Sequence, residues 1–176
     1  MTSVKVTKIE QPEEFKFSHD NMEKVLSEIA KYPNGKQKSA VMALLHIAQK
    51  QQGGWIAEKA IEEIAGLLHM IPIEVMEVAT FYTMYKLQPM GKYHIDICRT
   101  ASCKLCGANK LLQACKEFLG IDVGEVTEDG VFSISEVECL GACINAPVAQ
   151  LNGEALYEDL DAESILGLLK ELKGAS

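Results

Sequence analysis

The sequence predicts an α+β chain in two parts: an N-terminal helical bundle, then a smaller domain of mixed strands and helices. Three observations carry this. Between residues 18 and 88 apolar side chains recur at three and four positions, the period of a helix face. After Pro89-Met90-Gly91 the period falls to two, with Tyr93, Ile95 and Ile97 alternating with His94, Asp96 and Cys98 as on a strand. Chain breakers such as Pro33-Asn34-Gly35 and Gly53-Gly54 separate short segments by short turns. The expected division is an N-terminal arm over 1–17, which has no clear period and contains Pro12, a helical domain over 18–88 and a second domain over 89–176.

Taking the helices in order, Met22, Val25, Leu26 and Ile29 predict a first helix from about Ser18 to Tyr32, with Ser18 or Asp20 as its cap. A second, from about Lys36 to Lys50, places Val41, Leu44, Leu45 and Ala48 on one face. Trp55-Ile56 leads into a third with Ile61, Ile64, Ala65 and Leu68. The fourth opens at Pro72, a residue tolerated in a first helical turn, with Glu74 near the positive end of the helix dipole. It carries Ile73, Met76, Val78-Ala79 and Phe81-Tyr82, and core packing accounts for nearly all these apolar residues. Tyr82, Met84 and Tyr85 serve either the core or docking to a partner.

In the second part the strand at Tyr93–Ile97 is followed by one helix on which Leu105, Ala108, Leu112, Cys115 and Leu119 recur, ending at Gly120. Thr127-Glu128-Asp129-Gly130 is a turn before a strand over 131–137. Segments 148–151 and 155–157 flank Asn152-Gly153, a strong hairpin signal. Asp161 can cap a last helix that turns Ile165, Leu166, Leu168, Leu169 and Leu172 inward. A right-handed crossover makes the first two strands parallel, and the hairpin adds an antiparallel pair. Strand–helix–strand–strand–strand–helix is the element order of a thioredoxin-like fold, in which Pro147 stands where a cis-proline is common.

Composition narrows the function classes. The chain has 176 residues, 48% hydrophobic and 24% charged, enough for a packed core. A net charge of −8 argues against a nucleic-acid partner, which needs a basic face. No run of eighteen apolar residues occurs, so no membrane insertion is expected, and the first eight residues lack the apolar stretch of a signal peptide. The expectation is a cytoplasmic protein whose six cysteines serve metal or redox chemistry rather than disulfides. No phosphate-binding glycine loop, Ser–His–Asp set or catalytic carboxylate pair is evident, so no independent catalysis is assigned.

The cysteines hold the chemistry. Cys98 and Cys103 are separated by four residues after one strand, and Cys139 and Cys143 by three residues after another. Four thiolates on two loops at strand ends form a cage suited to a soft metal centre. Gly141 lets the backbone pass close to the centre and aim N–H groups at sulfur. Arg99 and Lys104 lie beside the ligands and could offset their charge. A [2Fe–2S] cluster is the favoured occupant, but a structural zinc in a stabilised interaction domain also takes four cysteines. Cys103-Lys104-Leu105-Cys106 fits a dithiol motif, and Cys98, Cys103 and Cys106 reproduce the run of plant-type ferredoxins, so five thiols compete for four places. Cys115 reads as a core residue and His94 as a structural strand histidine; His19, His46 and His69 form no constellation.

Cys98-x4-Cys103 and Val137-Glu138-Cys139-Leu140-Gly141-Ala142-Cys143-Ile144-Asn145-Ala146-Pro147 resemble the 24 kDa [2Fe–2S] subunit family of NADH:quinone oxidoreductase, respiratory complex I. Gly54-Trp55, Val78-Ala79-Thr80-Phe81-Tyr82-Thr83 and Pro89-x-Gly91-Lys92-Tyr93 are similar to the same family, and the likeness runs from about residue 20 to 170. The resemblance implies an N-terminal helical domain, a thioredoxin-like ferredoxin domain, and cluster ligands at Cys98, Cys103, Cys139 and Cys143, with Cys106 outside the set. It further implies an electron-transfer subunit that binds neither NADH nor quinone itself. Such a subunit docks on the FMN- and NADH-binding flavoprotein in the peripheral arm of a membrane-associated complex and exchanges single electrons with the flavin. The equivalent subunit of an NAD-linked hydrogenase or formate dehydrogenase shares that module and is the alternative.

Overall fold

In the computed structural model residues 11–175 are described. The chain divides into two compact units at Pro89 and Met90.

The first unit is built from α1 (His19–Ala30), α2 (Val41–Gln51), α3 (Glu58–Leu68) and α4 (Pro72–Phe81), with a 3₁₀ turn at Gln37–Ala40 leading into α2. The predicted second helix therefore starts later, its first residues taken by that turn. Ser18 caps α1 by accepting from the Asn21 N–H, and Glu74 accepts from the Ile71 N–H at the start of α4. α2 packs against α1, α3 and α4, and its Leu44, Leu45 and Ala48 are fully buried among Val25, Ile61, Ile64, Leu68, Val75 and Ala79. Residues 11–17 have no helix or strand, yet Phe15 and Phe17 are buried in the same core. The first ten residues of the expected arm lie outside the described residues.

Not every periodic apolar residue is covered. Leu26 is 56% exposed, Ile73 59% and Phe81 77%, which corrects the expectation that core packing accounts for them. Each stands at helical spacing, but in α4 only Val75 and Ala79 are buried, and Ile73 and Phe81 point away from them. Tyr85 belongs to the core, its hydroxyl donating to the Met42 carbonyl at 2.9 Å, whereas Tyr82 and Met84 are exposed. Among the described residues no single helix is long and apolar enough to cross a membrane.

The second unit holds a four-stranded sheet in the order β2-β1-β3-β4: β1 (Tyr93–Cys98), β2 (Phe132–Val137), β3 (Ala149–Leu151) and β4 (Ala155–Tyr157). β1 and β2 are parallel; β3 runs antiparallel to β1 and to β4. Positive φ at both Asn152 and Gly153 makes the tight hairpin turn that the sequence predicts. Asp161 caps α7 (Ala162–Gly174) by accepting from Ser164. Ile95, Ile97, Phe132, Ile134 and Ala149 share one core with Leu111 and Cys115 of α6 (Ala108–Leu119) and Ile165 and Leu169 of α7. The Ala146–Pro147 peptide bond is cis.

Two local features position the cysteine-bearing connections. The single helix expected after β1 is two, α5 (Ala101–Leu105) and α6, broken at Cys106-Gly107 where Gly107 takes φ 109°. Leu105, predicted inward, is consequently 88% exposed. Gly91, just before β1, lies so close to β2 that a Cβ there would sit 2.5 Å from the Phe132 carbonyl carbon, so only glycine lets this strand approach.

Candidate metal centre

Because β1 and β2 are parallel and paired as far as Cys98 and Val137, their C-terminal ends lie side by side. The chain leaving β1 turns into α5 and the chain leaving β2 turns at Gly141, φ 91°. Cys98 and Cys103 come from the first connection, Cys139 and Cys143 from the second. All six cysteines are free thiols.

The four thiols stand as two pairs. Cys139 Sγ and Cys143 Sγ are 3.2 Å apart. Cys98 and Cys103 are buried in one cluster with Ala108 and Val148, and Leu140 and Ala142 of the second connection pack against it. Among the described residues no three Cys, His or carboxylate groups converge on one point as a single metal ion requires. The first pair is buried and the second exposed.

Donors converge on the sulfurs. The Thr100 hydroxyl lies 3.2 Å from Cys98 Sγ. Gly141 N–H donates to Cys139 Sγ at 3.4 Å, as its expected backbone role requires. Burial pushes the Cys98 thiol up, but its hydrogen bonds outweigh that and the net direction is down. Cys139 is lowered by the hydrogen bond from Cys143 and then by Gly141 N–H. Their partners go the other way: burial and the bond to Cys98 push Cys103 up to about 11, and the bond to Cys139 raises Cys143. Each pair thus has one member whose hydrogen bonds favour the thiolate, the form that binds metal.

The remaining candidates separate cleanly. Cys106 is exposed at the end of α5, and Cys115 is fully buried in the α6 core, its thiol raised to about 12 by burial. Arg99 corrects its expected role: its guanidinium is committed to Glu138, with Nη2 2.6 Å from Oε1. Lys104 is exposed, with no carboxylate partner among the described residues. His94 is structural, its Nδ1 2.8 Å from Ser133 Oγ and its Nε2 2.9 Å from Asp96 Oδ1. These three residues place a serine, a histidine and an aspartate in contact, which spacing did not reveal. They are 5%, 6% and 1% exposed for His94, Asp96 and Ser133, and Gly91 N–H donates to the serine oxygen, so the set ties strand to strand.

Four soft sulfur donors in two pairs on adjoining connections, with a hydroxyl at Cys98 and an N–H at Cys139, fit a binuclear iron–sulfur centre. The class defined by this fold and site is a thioredoxin-like ferredoxin. The chain belongs to the thioredoxin-like [2Fe–2S] ferredoxin family, which matches residues 25–173. The cofactor of that family is a [2Fe–2S] cluster. Within it the chain groups with the E subunits of NADH-quinone oxidoreductases. The Rickettsia bellii protein of that name is 46% identical over 159 residues, covering 90% of this chain and 95% of its own length. The mitochondrial NADH dehydrogenase [ubiquinone] flavoprotein 2 of Dictyostelium discoideum is 42% identical, covering 90% of this chain and 64% of its own. A crystal structure of NAD⁺-reducing [NiFe]-hydrogenase in the air-oxidised state shares the fold, with TM-score 0.66 and 24% identity over 77% of this chain and 23% of that one.

Proposed function

We propose that Cys98, Cys103, Cys139 and Cys143 hold the [2Fe–2S] cluster, each pair serving one iron, and that the chain is the electron-transfer subunit of an NADH:quinone oxidoreductase. The carrying observation is the division of the four thiols into two pairs on adjoining connections. A structural zinc needs all four on one point. When bound, the cluster supplies one-electron redox chemistry, which complements the two-electron hydride chemistry of a flavin. Cys98 and Cys103 anchor the centre in the core, while Cys139 and Cys143 present it to the surface.

The partner is an FMN-containing flavoprotein subunit that binds NADH. Leu105 at 88% and Ile144 at 94% exposure stand on the two connections that carry the thiols, and large apolar side chains so placed suit a surface that another subunit covers. Docking there would bring the flavin close to the exposed thiol pair. The hydrogenase alternative has less support, since 24% identity compares with 46% for the Rickettsia bellii relative.

The purified chain is expected to contain about two irons and two sulfides, absorb in the visible, and give an EPR signal on reduction with dithionite. NADH should reduce it only when the flavoprotein subunit is added. A colourless chain with one zinc would overturn the cluster assignment, and a loaded chain left oxidised by NADH plus flavoprotein would overturn the partner.

A further inference from the structure

We propose that the Thr100 hydroxyl raises the reduction potential of the centre by donating to the Cys98 sulfur. The inference rests on the cluster assignment above and goes beyond it to a residue that is not a ligand. Thr100 is half-buried at the N-cap of α5, where a threonine oxygen ordinarily accepts from a backbone N–H of the first turn. It makes no such bond. Its hydroxyl lies instead 3.2 Å from Cys98 Sγ.

The physical effect has a definite sign. An added electron makes the thiolate sulfurs more negative, so a hydroxyl donating to them binds more strongly in the reduced state than in the oxidised one. The potential therefore rises. Thr100 makes and breaks no covalent bond: its proton stays on oxygen, and the electron comes from the flavin or, in the test, from dithionite. The N–H donor of Gly141 at Cys139 is fixed by the main chain. Thr100 acts through sulfur and is a positioning residue.

The test is an EPR-monitored redox titration of the full chain with its cluster, as wild type and as Thr100→Val, Thr100→Ala and Thr100→Ser. Loss of a hydrogen bond to a charged acceptor should shift the reduction equilibrium of the valine and alanine variants about three- to tenfold toward the oxidised form, tenfold being about 59 mV for one electron. The serine variant, which keeps the hydroxyl, should return to the wild-type potential. Equal potentials in wild type and a fully loaded valine or alanine variant would overturn this inference alone. Loss of the cluster in both valine and alanine variants would also overturn it, making Thr100 a holding residue rather than a tuning one. A wild-type chain that assembles no [2Fe–2S] cluster would overturn the assignment beneath it as well.

Discussion

The two thiol pairs are made in different ways. Cys98 closes β1 and its N–H donates to the Val148 carbonyl; Cys103 lies inside α5, and both are 1% exposed. Their positions follow from the sheet and the core. Cys139 and Cys143 sit on an exposed connection whose course depends on Gly141 in a conformation that side chains rarely adopt. One half of the proposed centre would be fixed by packing and the other by a loop. That asymmetry suits an electron carrier, in which the buried half holds the centre still and the exposed half shortens the route to a partner.

The largest expected effect follows from it. Serine offers iron a harder, poorer ligand than cysteine at any of the four positions. At Cys98 or Cys103 the surrounding core cannot move to compensate, so these serine variants should lose cluster content more than about tenfold, read as iron, sulfide and visible absorbance per chain. Cys139→Ser should also lose or badly weaken the cluster, but less completely, because the loop can shift to bring oxygen closer. Cys106→Ser should keep the wild-type content. A Cys139→Ser chain emptier than Cys103→Ser would break the contrast between pairs.

The same contrast marks what sequence could reveal. Thiol spacing and the glycine between Cys139 and Cys143 were legible, because both act locally along the chain. So were the buried faces of α2 and α3 and the alternation of β1. What escaped depends on partners distant in sequence. Helical spacing put Leu105 on the face of Leu112 and Cys115, but the left-handed turn at Gly107 starts a new helix and leaves it outside. Leu26, Ile73 and Phe81 are periodic too, and the period alone does not say how wide a covered face is. The Ser133 contact of His94 required the register of β1 against β2. Thr100 carried no signal in the sequence, and its approach to the Cys98 sulfur appears only where β1 turns into α5.

Thiol chemistry in the metal-free chain sharpens the comparison further. Cys139 is exposed and its hydrogen bonds favour the thiolate, while Cys103 is buried and raised to about 11. At pH 8 a thiol at that value is ionised only on the order of one part in a thousand, and the thiolate is the nucleophile. Limited alkylation with iodoacetamide, read by peptide mass spectrometry, should therefore label Cys139 before Cys103. Equal labelling rates at the two positions would mean that the buried pair opens to solvent as readily as the loop.

The smallest effect belongs to Cys115, which shows what burial does without donors. Cys98 and Cys115 are both buried, and burial pushes both thiols up. Cys98 nonetheless ends below the ordinary value, whereas Cys115 rises from 9.0 to about 12. The difference is the set of hydroxyl and N–H donors around Cys98. For Cys115 the folded state holds its proton more tightly than the unfolded state, so its contribution to stability is fully present below about pH 9 and is lost as pH rises from there toward 12. The limiting slope is ~1.4 kcal/mol per pH unit. Urea unfolding at pH 8 and pH 10 should show wild type losing more stability than Cys115→Val, which has no proton to release. Parallel losses in the two chains would mean that Cys115 does not stay protonated in the folded state, and that burial alone does not hold a thiol neutral in this core.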